Sequence, residues 1–190
     1  VGECREAVMR INLVYEPKEI AERGHIPTVR NVYVENITCK KSKYGILLNG
    51  LTENDSKTPQ IYNINVKNCK FEGLSAEPVY KTGLVKDVTI ENVKATSKNY
   101  TLHITQTCEN ATVVVNNCDL KGLNTVNVWA TNSNVTINNS TLTCEDNAVE
   151  GYAVVYNNGV NTDVTVNGGK VVVGGDSKAA SIGAAGATVT

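Results

Sequence analysis

A six-residue unit recurs through the chain and sets the terms for everything else. It reads "NVYVEN" at 31–36, "NINVKN" at 63–68, "DVTIEN" at 87–92, "TVVVNN" at 112–117 and "NVTINN" at 134–139, with a weaker copy, "DVTVNG", at 163–168. The first residues of the copies (Asn31, Asn63, Asp87, Thr112, Asn134 and Asp163) are separated by 32, 24, 25, 22 and 29 residues. A further step of 25 reaches Thr188, where "TVT" opens another copy. A period of roughly 20–50 residues marks units that stack on one another to bury a shared core.

The second and fourth positions of every copy are aliphatic: Val32 and Val34, Ile64 and Val66, Val88 and Ile90, Val113 and Val115, Val135 and Ile137, Val164 and Val166. The third position is polar in most copies, as at Asn65, Thr89, Thr136 and Thr165, with Tyr33 in the first and Val114 as the exception. Alternation with period two describes a strand with one face toward a core. Consecutive copies run in the same sense and are joined by links too long for hairpins, so they pair in parallel, one per coil. Two more strand-like stretches fit each period. One follows directly, as in "CKFEG", "VKAT", "CDLKG" and "STLTC"; the other comes later, as in "YGILLNG", "YTLHIT", "VNVWAT" and "GYAVVYN". The expected fold is all-β: a single-stranded, right-handed parallel β-helix of three sides and about six to seven coils, forming one domain over residues 1–190.

The sixth position is Asn36, Asn68, Asn92, Asn117 and Asn139, then Gly168. A sharp bend between two parallel faces needs a left-handed residue, a conformation that Asn tolerates and Gly enters freely. Stacked coils would also bring these amides within reach of one another. The column therefore reads as a structural ladder rather than a ligand site. Of the seven N-x-[ST] triplets (at Asn36, Asn54, Asn99, Asn110, Asn134, Asn138 and Asn139), several fall in or beside that ladder, where a glycan has no room.

A formal net charge of -1 offers no overall electrostatic attraction for nucleic acid or an anionic membrane, and no apolar run is long enough to span a bilayer. Six cysteines (Cys4, Cys39, Cys69, Cys108, Cys118 and Cys144) form no C-x-x-C pair, and the two histidines, His25 and His103, stand far apart. They read as reduced thiols in small core positions, so neither a metal nor another cofactor is expected.

The stretch "EAVMRINLVYEPKEIAERGHIPTVRNVYVENITCKKSKYGILLNGL", followed by "IYNINVKNCKFEG", is more specific than the periodicity. It resembles the C-terminal coils of family-28 glycoside hydrolases, the polygalacturonases and their bacterial relatives, over about residues 6–95. Residues 96–190 continue only the β-helical pattern. The resemblance implies an inverting hydrolase of galacturonan, in which aspartates supply a general acid and activate a water. The family's motifs N-T-D, D-D, G-H-G and R-I-K are all absent: "RGHIP" lacks the second glycine, and "MRIN" has Asn12 in place of lysine. One family residue maps, a substrate-contacting tyrosine, onto Tyr15. The resemblance thus places the catalytic coils upstream of Val1 and makes the chain a segment of a longer protein that is inactive alone.

The chain shows no replacement catalyst. The outward carboxylates Asp87, Glu91, Asp119, Glu145 and Asp146 fall in no shared column at a telling spacing, and Glu53 and Asp55 sit in the turn-rich "TENDSKTP". His103 alternates with Leu102 and Ile104 and faces outward with no evident Ser or Cys partner. Trp129, the one tryptophan, should point to solvent if Val126 and Val128 point inward, near Tyr156 one coil on. An exposed ring among Asn and Thr side chains is a platform for a sugar face, although a loop packed over such a ring is the more frequent outcome.

Three functions follow as expectations. The chain is a pectin-processing hydrolase segment without its catalyst, contributing contacts such as Tyr15. Alternatively, it is a non-catalytic extracellular module that holds acidic plant polysaccharide through Trp129, or a trimmed or engineered scaffold with no activity. The substrate class places it in a bacterial periplasm or outside the cell. The last coil, ending at Thr190, leaves an open strand edge suited to end-to-end self-association.

Overall fold

A computed structural model describes residues 2–13, 27–50, 60–75, 79–82, 85–145, 153–174, 180–184 and 188–189. They form a parallel β-solenoid with three faces and no helix among the described residues. The first face stacks β1 (Ala7–Asn12), β4 (Tyr44–Asn49), β7 (Val79–Thr82), β10 (Tyr100–Ile104), β13 (Asn124–Val128), β15 (Ala153–Asn157) and β17 (Ala180–Ala184) in that order. The second face carries the repeated hexapeptide: β2 (Val29–Glu35), β5 (Ile61–Lys67), β8 (Val85–Glu91), β11 (Thr112–Asn116), the first half of β14 (Asn134–Glu145), the first half of β16 (Asp163–Gly174), and β18 (Thr188–Val189). The third face is β3 (Thr38–Cys39), β6 (Lys70–Leu74), β9 (Lys94–Ser97), β12 (Asp119–Gly122) and the second halves of β14 and β16. Every pairing is parallel, in the register the hexapeptide sets: Val32 lies beside Ile64, then Val88, Val113, Val135 and Val164.

The corner between the second and third faces follows from backbone sterics. Asn36, Asn68, Asn92, Asn117 and Asn139 have φ of 59°, 53°, 51°, 53° and 48°, and Gly168 has 66°. One left-handed residue, or in β16 the pair Gly168 and Gly169, turns the chain while the strand on either side stays hydrogen-bonded to its neighbour, so β14 and β16 run through the bend as single strands. Asn92 Nδ2 donates to Asn68 Oδ1 at 3.2 Å. Amide ladders also occupy other columns: Asn63 to Asn31 at 2.7 Å, Asn138 to Asn116 at 2.8 Å, Asn167 to Asn138 at 2.9 Å and Asn161 to Asn132 at 3.2 Å.

The entry to the second face changes part-way along the solenoid. In β2, β5 and β8 the left-handed residue is the first of the hexapeptide: Asn31, Asn63 or Asp87. Later it lies two residues earlier, at Asn110, Asn132 and Asn161, and β11, β14 and β16 begin only at the hexapeptide. The bend has moved by one strand period, which keeps the aliphatic positions facing inward.

Inside, the third-face column reads Cys39, Phe71, Ala95, Leu120, Leu142, Val171. The single phenylalanine is flanked by two small residues, which offsets its volume at close-packed density. The corners are lined by small polar side chains. Ser140 Oγ accepts from Cys118 N and donates to Asn138 O, both at 3.0 Å; Ser133 Oγ accepts from Ala111 N at 3.0 Å and donates to Thr131 O at 2.9 Å. At a corner the ladder geometry breaks, and these hydroxyls take up the backbone groups it leaves.

The left-handed geometry predicts an ordered series at Asn92. Asn92→Gly should change stability by a few tenths of a kcal/mol, whereas Asn92→Ala should cost about 1–2 kcal/mol from φ strain. Urea melts of the two variants check this; equal loss in both would place the residue's importance in its amide instead.

Candidate functional site

The first face carries the clearest constellation. All five residues of β13 are buried: Val126 and Val128 lie in the core, and Asn127, of the opposite parity, is covered as well. The strand ends at Val128, but Trp129 N still donates to Ile104 O at 2.8 Å, which fixes the tryptophan backbone to the coil before it. Its indole is 38% exposed. In the next coil Tyr156 pairs with Asn127, and its ring lies 6.2 Å from that of Trp129 at an interplanar angle of 52°. The following rung is Gly183, where a Cβ would come within 3.0 Å of the Tyr156 ring. The glycine therefore makes room for the tyrosine.

On the other side of Asn127 stands His103, whose ring is 4.5 Å from that of Tyr100. Asn127 itself is buried, and its Oδ1 has no hydrogen-bond partner among the described residues. The same is true of Thr101 Oγ1 on the same face. Unfilled polar atoms of this kind cost about 1–3 kcal/mol each, and both side-chain polar atoms of Asn124 on β13 are unfilled as well. The partly exposed Trp129 ring, tilted against Tyr156, can stack on the apolar face of a pyranose, whereas the Asn127 and Thr101 polar atoms are buried and not open to a ligand.

Tyr15, His25, Glu53, Asp55 and Asp146 lie outside the described residues, as does the side chain of Glu145. Among the described carboxylates, Asp119 pairs with Lys94 at 3.1 Å, Glu72 with Lys70, and Glu91 with Lys67 at 3.2 Å. One arrangement differs from the sequence expectation. Glu35, Lys67 and Glu91 occupy successive rungs of one outward column, beside a cleft of about 210 Å³ with Tyr33 at its edge. Two rungs separate the carboxylates by roughly 9–10 Å in the backbone, close to the upper end of an inverting pair. The lysine on the rung between them changes the chemistry. An inverting site leaves room for a water between its two carboxyls, and here Lys67 occupies the rung between them and pairs with Glu91 at 3.2 Å. The column is an ion-pair ladder.

The thiols are equally unsuited to nucleophilic work. All six are free, and all but Cys4 are buried. Cys118 Sγ accepts from Val93 N at 3.5 Å and donates to Asn116 O at 3.2 Å, replacing in its coil the hydroxyl of Ser140. Burial pushes its pKa from 9.0 up to about 11, and the Val93 amide offsets only part of that shift. Cys69 is raised for the same reason. Among the described residues no group of three or more His, Cys, Asp and Glu side chains could hold a metal ion, and no helix is long and apolar enough to cross a membrane.

Comparison with family models, curated proteins and solved structures finds no match for the chain. The site must therefore be judged on its own geometry.

The Cys118 environment fixes a pH dependence. Below about pH 9 the thiol is neutral in both folded and unfolded chains. Between 9 and 11 the unfolded chain loses its proton while the folded one keeps it, so stability falls as pH rises through that window. Cys118→Ser, which keeps the hydrogen bonds, should flatten the decline between pH 9 and 11 by about 2 kcal/mol in denaturant melts. An unchanged slope would mean that Cys118 ionises as readily folded as unfolded.

Proposed function

We propose that this chain is a non-catalytic β-helix that holds acidic plant polysaccharide, a segment of polygalacturonase-like type from which the catalytic aspartates are missing. The observation that carries the reading is the 38% exposed Trp129, tilted against the half-buried Tyr156 on the first face. Exposing an indole to water is unfavourable without a ligand to cover it, and a sugar's apolar face covers it well. The lysine between Glu35 and Glu91, together with the absence of N-T-D, D-D, G-H-G and R-I-K, supports binding without hydrolysis. Tyr15 belongs to this proposal through the family resemblance. So does the location, outside a bacterial cell or in its periplasm, where such polymers are met.

A second reading is an assembled scaffold with no ligand. It draws on the shift of the left-handed corner between β8 and β11, which divides the coils into two geometries.

Titration with oligogalacturonates, followed by tryptophan fluorescence, separates the readings. The binding proposal expects a saturable change in Trp129 emission, no release of reducing ends, and, by titration calorimetry, affinity reduced about tenfold or more in Trp129→Ala, corresponding to the ~1–3 kcal/mol of a stacked ring. Reducing-end release by the purified chain would sink the non-catalytic claim, and a silent titration would favour the scaffold.

A further inference from the structure

The net charge of -1 conceals a strong segregation. At the corner where the third face turns into the first, a groove of about 500 Å³ is lined by Arg5, Lys41, Lys43 and Lys98, with Glu3 as its one carboxylate and Gly73 in its wall. These residues come from four successive coils, and backbone bonds hold them in place. Cys4 N donates to Lys41 O at 2.9 Å, Ser75 N to Ser42 O at 3.1 Å, and Lys98 N to Leu74 O at 3.2 Å. Gly73 has φ +56°, and a Cβ there would lie 2.8 Å from Lys40 O, so this close approach of the chains requires glycine. Lys43 Nζ sits 5.0 Å from the centroid of the Tyr44 ring, which holds the ammonium by a cation–π contact.

The adjoining third face continues the pattern. Lys70 and Lys94 occupy neighbouring rungs, and Lys40 precedes the groove on the second coil. Glu72, on this face, is half-buried, and its pKa is lowered by hydrogen bonding and charge from Lys70, with further contributions from Lys40 and Lys94. A carboxylate there is already stabilised by three ammonium groups. Of the cations Arg5, Lys40, Lys41, Lys43, Lys70, Lys94 and Lys98, Lys41 pairs with Glu3, Lys70 with Glu72 and Lys94 with Asp119, and the other four stand outside those pairs.

We propose that this edge binds a linear polyanionic glycan, lying along the solenoid axis with its charged groups in the groove formed by Arg5, Lys41, Lys43 and Lys98. The proposal takes its ligand class from the polysaccharide reading but places a second, electrostatic contact on a different edge from Trp129. The axial direction follows from the repeat. Arg5, Lys41 with Lys43, and Lys98 stand on the first, second and fourth of coils spaced about 4.8 Å apart, with Gly73 and Ser75 on the third, so a chain carrying charge on successive sugars meets cations at three of the four steps. A single-stranded nucleic acid is less well suited, because no aromatic ring lines the groove to stack its bases, and the nearby Tyr44 ring faces Lys43.

The test immobilises polygalacturonate, dextran sulfate and single-stranded DNA and measures binding of wild type, Trp129→Ala and the triple variant Lys41→Glu/Lys43→Glu/Lys98→Glu at 50 and 300 mM salt. All three substituted lysines are exposed, and circular dichroism checks that the variant folds. The expected result is binding to one or both glycans that weakens at high salt, falls at least tenfold in the triple variant, and persists in part in Trp129→Ala. A response to polygalacturonate alone identifies a carboxylated ligand, and one to dextran sulfate as well extends the class to sulfated chains. Wild-type affinity in the triple variant overturns the groove, and if Trp129→Ala then abolishes binding the platform reading stands by itself. Preference for DNA over both glycans, or no binding to either glycan, also overturns the proposal.

Discussion

The structure depends on a backbone conformation that most residues avoid. A left-handed bend at each corner between the second and third faces lets the chain change direction while keeping its parallel partner on both sides. One asparagine supplies it in five coils, and the successive glycines Gly168 and Gly169 supply it in a sixth. Because every coil turns at the same rung, the aliphatic positions align into continuous columns, from Val32 to Val164 on one side and from Val34 to Val166 two residues on. A slip of one residue at any corner would turn the whole following strand inside out. The inner corner hydroxyls and the Cys118 thiol serve the same end, since they satisfy backbone groups that the turn removes from the ladder.

The register also decides the surface chemistry. Outward positions become columns, and a column is useful or inert according to what its successive rungs contain. Glu35, Lys67 and Glu91 alternate in sign and neutralise one another. Asn127, Tyr156 and Gly183 put an amide, a ring and an open space in sequence, and Trp129 closes over the ring from the side. Lys41, Lys43 and Lys98 reinforce one another across a corner. A solenoid of this kind presents long, flat, rigid surfaces with few enclosed pockets, which suits an extended polymer better than a small substrate that must be enveloped.

Much of the fold was legible because a repeat states its own alignment. The alternation in "NVTINN" and the constant sixth asparagine gave strand, face and corner from residues alone. The exposure of Trp129 beside Tyr156 followed from the same parity. Other features were visible but unread. Asn110, Asn132 and Asn161 stand two residues before their hexapeptides, and that offset marks the other corner once the left-handed role of asparagine is granted. Glu35, Lys67 and Glu91 share the fifth position, so the ion-pair ladder lay in the aligned copies too. The basic edge was not legible from a net charge, which adds residues without regard to where they lie. Its lysines fall in links and short strands outside the hexapeptide, where no repeat supplies the register.

A distance measurement along one column tests the common register directly. Tyr33, Asn65, Thr89, Val114, Thr136 and Thr165 occupy successive rungs of the second face. Nitroxide labels at Tyr33→Cys and Thr165→Cys, in a Cys4→Ser background, should lie about 24 Å apart, five rungs at ~4.8 Å. Labels at Thr136→Cys and Thr165→Cys should be adjacent. A narrow distribution near that value is the result a single parallel stack requires; a broad one, or a separation far from it, would contradict the stack and with it both glycan surfaces.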